Sequence, residues 1–240
     1  VLLFSCLSAF LFTASAVSSA TQQAWVFKRN NGLGPETIYA TNDAVLITYP
    51  TAGLNVLCKK PAWEIVWFNT KNHMWYHESV THYRTRKHMP VTEKQLPQPG
   101  RRATTYAGHE VIEFSTPFTD AQDDPFTPTN AKMRPIATQY FFSKSLSISK
   151  EATIFLDSYF GVPASGGVPL GAQILYSDKT IQRLWTTTAF EKSAVDPSLF
   201  RQPSGYKLLA NADELGNAKV YTIQMEDMMN DLGVGKPFGH

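Results

Sequence analysis

The run Leu54–Ser79, LNVLCKKPAWEIVWFNTKNHMWYHES, decides the fold class. Leu54, Val56 and Cys58 fall on one side of an alternation that sets Asn55 and Lys59 on the other. Successive side chains of a strand point to opposite faces, so this period of two marks a strand with one face turned to a core. Trp63, Ile65 and Trp67 repeat the pattern with Glu64 across from them, and Asn69-Thr70-Lys71-Asn72 supplies a hairpin turn. Past that turn His73, Trp75 and His77 share a face. Upstream, Glu36–Thr41 and Ala44–Tyr49 flank the turn-forming pair Asn42-Asp43. The first hundred residues therefore predict an antiparallel meander of about five strands.

Further along, 82–102 is rich in Lys and Arg and broken by Pro90, Pro97, Pro99 and Gly100, which makes it a connector with a short helical turn near Tyr83. Strands resume at Thr104–Ala107 and His109–Ser115, and 120–135, with three Asp and three Pro, reads as a surface loop. Ala137–Ser143 is a strand; Ser149 then caps a helix through Phe160 that Gly161 closes and Pro163 follows. Gly166–Gly171 (GGVPLG) turns into a strand Ala172–Ser177, and a longer one covers Thr180–Glu191. Val195–Leu209 (VDPSLFRQPSGYKLL) holds two prolines that fix φ and remove donors, so it crosses a sheet edge or a barrel mouth instead of joining as a central strand. Ala218–Leu232 fits a strand followed by a Met-rich helix, or one amphipathic helix.

Residues 1–20 carry no charge and end in Ser18-Ser19-Ala20, the pattern of an export signal peptide with small residues at its cleavage site. That assignment makes the protein periplasmic or extracellular, with no stable transmembrane anchor once the leader is gone. Residues 21–216 then form one domain and 217–240 a C-terminal tail. A net charge of +2 gives no reason to expect nucleic acid. Without Cys6 in the leader, Cys58 has no partner, so the core alone must hold the fold.

The order of motifs carries a resemblance. Pro61–Asn69 (PAWEIVWFN), Gly167–Leu170 (GVPL) and the closing pattern of Pro197, Phe200, Pro203, Gly205 and Tyr206 follow one another as in exported bacterial proteins with the outer-membrane lipoprotein carrier (LolA/LppX-like) fold. The chain resembles most their relatives of unassigned function. The basic connector and the acidic loop depart from that pattern and read as insertions. The resemblance implies a mainly β (α+β) protein: a strongly curved antiparallel sheet, a half-open barrel, with one or two helices on its concave side. It does not imply an enzyme or a cofactor.

Three functions follow. The first is a carrier of lipid, or of the acyl chain of a lipoprotein, lined by Trp63, Ile65, Trp67, Trp75, Phe141 and Trp185. An empty apolar cavity of about 400 Å³ would cost about 10 kcal/mol at roughly 24 cal/mol per Å³. That rivals the whole stability of a domain, so the cavity must be filled or plugged in the free protein. Phe200 and the adaptable Met225, Met228 and Met229 are the expected plug. The second is an envelope scaffold of the same fold with a packed interior. The third, a metal hydrolase built on His73, His77, His82 and His88, suffers from spacing: His73 and His77 stand about 13 Å apart along a strand. Asp120, Asp123 and Asp124 lack the regular spacing of a calcium loop. Arg84, Arg86, Lys87, Arg101 and Arg102 could meet an anionic membrane surface.

Overall fold

The computed structural model describes residues 21–31, 34–86, 102–106, 108–117, 134–162 and 167–215. Strand β1 (Gln22–Asn31) precedes the expected meander of β2 (Gly34–Ala40), β3 (Ala44–Tyr49), β4 (Leu54–Lys59), β5 (Glu64–Asn69) and β6 (Met74–Ser79). Each strand of the meander pairs antiparallel with the next. The register sets Ile38 opposite Ile47, Ile47 opposite Val56 and Val56 opposite Trp67, so one row of bulky side chains crosses four strands on one face. The leader, the connector beyond Arg86, the acidic loop, His88 and the tail with its methionines lie outside the described residues.

Helix α1 (Val80–Arg86) follows β6, and β7 (Arg102–Tyr106), β8 (His109–Pro117), β9 (Pro135–Ser143), helix α2 (Lys150–Tyr159), β10 (Val168–Tyr176), β11 (Ile181–Val195) and β12 (Lys207–Leu208) complete the order. All twelve strands form one sheet, in the order β12-β6-β5-β4-β3-β2-β1-β11-β10-β9-β8-β7. The sheet is antiparallel except at one edge, where the two-residue β12 runs parallel to β6. β1 sits in the middle, paired on one side with β2 and on the other with β11.

The sheet is open and strongly curved. Flat strands stand about 4.8 Å apart, which would put β7 about 19 Å from β11, four places away. Yet the Tyr106 hydroxyl on β7 donates to Thr186 Oγ1 on β11 at 3.1 Å. His109 on β8 meets the Phe190 ring on β11 at 4.0 Å between centroids. Only a sheet that curls inward can make these contacts. Tyr106 and Phe190 pack on the same hydrophobic cluster as the side chains of α2, so the curl closes towards the helix-bearing side.

That inner cluster holds Phe27, Ile38, Val45, Ile47, Val56, Cys58 and Ile65 from the meander and its central neighbour, roofed by Ala152, Phe155 and Leu156 of α2. Helix α2 begins where the sequence places it: the Ser149 hydroxyl accepts the Ala152 amide at 3.2 Å. At its far end the Phe160 amide donates to the Leu156 carbonyl and Gly161 takes φ +62°. A second cluster, on the outer face, gathers Val26, Leu46, Leu57, Val66 and Val195 around Phe200. Val195–Leu209 is a strap over this outer face. It leaves β11, forms a 3-10 turn at Pro197–Phe200 capped by Asp196, and ends beside β6, with β5 to β1 lying between. The Lys59 ammonium holds it by donating to the Phe200 carbonyl at 3.1 Å.

Candidate functional site

The inner face contains a charge that the sequence pattern does not single out. Arg29 on β1 is fully buried, and so is Glu36, opposite it on β2. Arg29 Nε donates to Thr187 Oγ1 at 3.0 Å, and Nη2 donates to the Pro169 carbonyl. Nη1 faces Glu36 Oε1 at 3.8 Å, an ion pair too long to be a hydrogen bond. The guanidinium carbon lies over two aromatic rings, Phe160 at 4.3 Å and Trp185 at 4.6 Å. Burial pulls the guanidinium down to about 10, against the opposing influence of Glu36, Tyr49 and Tyr106.

Next to this pair lies a set of packed rings. Trp67 on β5 packs on Tyr83 of α1 at 5.9 Å and on Tyr159 of α2 at 5.7 Å, and Tyr83 stacks on Tyr159 at 6.3 Å. The hydroxyls of Tyr49 and Tyr159 share a hydrogen bond of 3.0 Å, and the Tyr83 hydroxyl donates to the Tyr159 carbonyl at 3.4 Å. Burial, followed by the neighbouring Tyr49, holds the Tyr159 phenol well above its ordinary range. Trp67 Nε1 is buried without a hydrogen-bond acceptor among the described residues. Phe160, at the end of α2, packs against both the inner cluster and the one around Trp185, and so joins the rings to Arg29.

The residues picked from the sequence divide between the two faces. Trp63, Ile65, Trp67 and Phe141 belong to the inner cluster, and Trp185 adjoins it through Phe160. Trp63 lies in the turn before β5, at φ +53°, and not in the strand. Trp75 and Phe200 sit on the outer face: Trp75 is paired with Phe68 in register, on the side opposite Trp67, and Phe200 anchors the strap. The histidines disperse. His73 packs at a tilt on Tyr206, His77 lies 3.3 Å from Glu64, and His82 lies 2.9 Å from Glu78. Among the described residues no three His, Cys, Asp or Glu side chains come together as a metal site. Arg29 and Glu36 are legible in the sequence only as an opposite-charge pair, and nothing in the alternation marks β1 as a strand.

A half-open, mainly β sheet with two helices and a buried arginine among aromatic rings is the class that fold and site define. No family model matches the chain, and no curated protein matches it. Two solved structures can be set beside it. An uncharacterized conserved protein from Thermus thermophilus aligns over 78% of this chain and 89% of its own, at 10% identity and a TM-score of 0.33. MucB, in its complex with MucA(peri), aligns over 80% of this chain and 58% of its own, at 10% identity and a TM-score of 0.37. At such scores neither alignment carries an argument, and the fold rests on strand order and register. Among the described residues no helix is long and apolar enough to cross a membrane.

Proposed function

We propose that this chain is an exported, non-enzymatic binding protein of the cell envelope, of the lipoprotein-carrier kind. Its ligand is a lipid or the acyl chain of a lipoprotein, taken up on the helix-covered side of the sheet. One observation supports this most. Phe155 and Tyr159 of α2, with Phe160 just past its end, fill the hollow of a curved sheet, next to a buried guanidinium, and ring packing with two hydroxyl contacts joins Tyr159 to Tyr49 and Tyr83. A hollow of this kind must be plugged when empty, and α2 is the plug. An acyl chain gains roughly 0.8 kcal/mol per buried methylene, enough over a long chain to replace the three rings. The uncharged 1–20 segment is the support for export.

A second reading, an envelope scaffold that binds no ligand, draws on a different observation. Phe27, Ile38, Val45, Ile47, Val56, Cys58 and Ile65 are at 0% exposure, as a finished core would be. Native mass spectrometry of the protein purified gently from its own host separates the two. A retained mass in the lipid range supports the carrier. A bare chain that also fails to bind an apolar dye replaces it with the scaffold.

A further inference from the structure

Two buried nitrogen donors on the inner face have no acceptor among the described residues, Arg29 Nη1 and Trp67 Nε1. Arg29 is 1% exposed, and its Nη1 stands 3.8 Å from Glu36 Oε1, beyond hydrogen-bond range. Its other two nitrogens are in use, Nε on the Thr187 hydroxyl and Nη2 on the Pro169 carbonyl. A donor buried without an acceptor has given up water and gained nothing in return. Folded proteins hold few such groups, and each calls for a structural or functional reason.

One piece of chain covers both donors. Tyr159 ends α2 and Phe160 follows it. The Tyr159 ring lies 5.7 Å from the Trp67 ring, and the Phe160 ring lies 4.3 Å from the guanidinium carbon. Neither cover supplies an acceptor: Phe160 has no polar atom, and the Tyr159 hydroxyl is engaged with Tyr49 at 3.0 Å. A retreat of this end of α2 therefore uncovers both donors at once, beside Trp185, whose ring flanks the guanidinium at 4.6 Å. Charge narrows what can take the place of the two rings. Glu36, opposite Arg29 in register, already balances the guanidinium. A further anion would leave one negative charge uncompensated in an apolar interior. The replacement must accept hydrogen bonds and carry no charge.

We infer that the inner face selects a neutral acyl ester, whose carbonyl oxygens accept from Arg29 Nη1 and Trp67 Nε1 where the Phe160 and Tyr159 rings now lie. An ester carbonyl has the required composition, an uncharged acceptor joined to a long apolar chain. This assignment rests on the carrier reading above and narrows it. A free fatty acid brings a carboxylate to a guanidinium that is already paired, whereas a glycerol diester brings two carbonyls to two waiting donors.

Displacement of an apolar dye from the full chain tests it, with 1,2-dioctanoylglycerol against its diether, 1,2-di-O-octylglycerol, and octanoate against methyl octanoate. The diester should act at about fiftyfold lower concentration than the diether, about tenfold from the charged donor and about fivefold from the neutral one. Octanoate should act no better than its methyl ester. Arg29→Met/Glu36→Met removes both members of the ion pair and strands neither, and should lower the diester-to-diether preference about tenfold. Trp67→Phe keeps a ring against Tyr159 but removes the indole N–H, and should lower it about fivefold; it carries the test if thermal melting shows the double variant unfolded. Equal displacement by diester and diether, or a preference that survives in the folded variants, overturns the assignment and leaves the carrier reading standing. Octanoate acting better than its methyl ester overturns the choice of a neutral ligand. A chain that takes up neither dye nor any probe defeats the carrier reading and this assignment with it.

Discussion

Arg29 is a full charge at 0% side-chain exposure, and its stability depends on what remains when it is removed. Replacing a buried pair by apolar groups is often neutral, whereas removing one member strands the other. Arg29→Met should therefore cost about 3–5 kcal/mol in urea unfolding, and adding Glu36→Gln should recover most of that loss. A second residue-scale effect concerns alkaline pH. Burial pushes the Cys58 thiol up to about 12 from 9.0, so above pH 9 the unfolded chain releases a proton that the folded chain keeps. Stability must then fall as pH rises. Tyr159, also held above its ordinary range, acts in the same direction. Arg29 acts in the opposite one, but only above about 10, where the folded guanidinium loses a proton that the unfolded one keeps. Between pH 9 and 10 the thiol dominates, so Cys58→Ala should flatten the decline in that window, as read by urea midpoints at pH 8, 9 and 10. An unchanged slope would mean that the thiol is not the source.

At the scale of elements, the GGVPLG motif acts by close approach. A Cβ on Gly171 would lie 2.7 Å from Cε1 of Tyr106, the ring that stacks on Phe141 at 4.3 Å, and one on Gly167 would lie 2.5 Å from the Ser143 carbonyl oxygen. Gly171→Ala should destabilise by about 1–3 kcal/mol, as overpacking does. Because the clash is with one side chain, Tyr106→Ala in the same chain should leave Gly171→Ala nearly without effect, a non-additivity that thermal melting can measure. The motif is visible in the sequence, but its reason is not, since Tyr106 comes from a strand three places away in the sheet. The same division runs through the other elements. The meander is readable because its strands alternate and two of its turns fall at Asn42-Asp43 and Asn69–Asn72, although Leu46, Leu57 and Val66 are also buried, on the outer face. β1 is not, because Trp25 and Phe27 pack inward while Ala24 and Val26 pack outward, which erases the alternation. Lys28 and Arg29 then read as a polar end, and only the pairing with Glu36 and Thr187 shows that Arg29 points inward. From its sequence Phe200 is expected to plug the hollow. The strap that carries it covers the outer face instead, because β11 delivers it there through Val195 and Phe200.

For the molecule as a whole, the two faces have different obligations. The outer face is closed by a strap pinned at both ends, by β11 and by backbone bonds from Lys207 and Leu209 to the carbonyls of His73 and Trp75. The inner face is closed by α2, ten residues long, whose Phe155 and Tyr159 rings pack into the inner cluster. If the inner face takes up an acyl chain, α2 must yield and the strap need not. Local opening is easiest where packing is sparsest, so a segment that yields to ligand exchanges its amides sooner than the strands beneath it. Hydrogen exchange with a long-chain lysophospholipid should therefore show faster exchange across 150–160, with 195–209 and the meander unchanged. Tyr159→Phe removes the hydroxyl bond to Tyr49 without emptying the core, and should lower the lipid concentration needed for that change by about five- to tenfold, the worth of one hydrogen bond of about 1 kcal/mol. Exchange at 150–160 that lipid leaves untouched, in the wild type and in Tyr159→Phe alike, would make the inner face a finished core and α2 part of it.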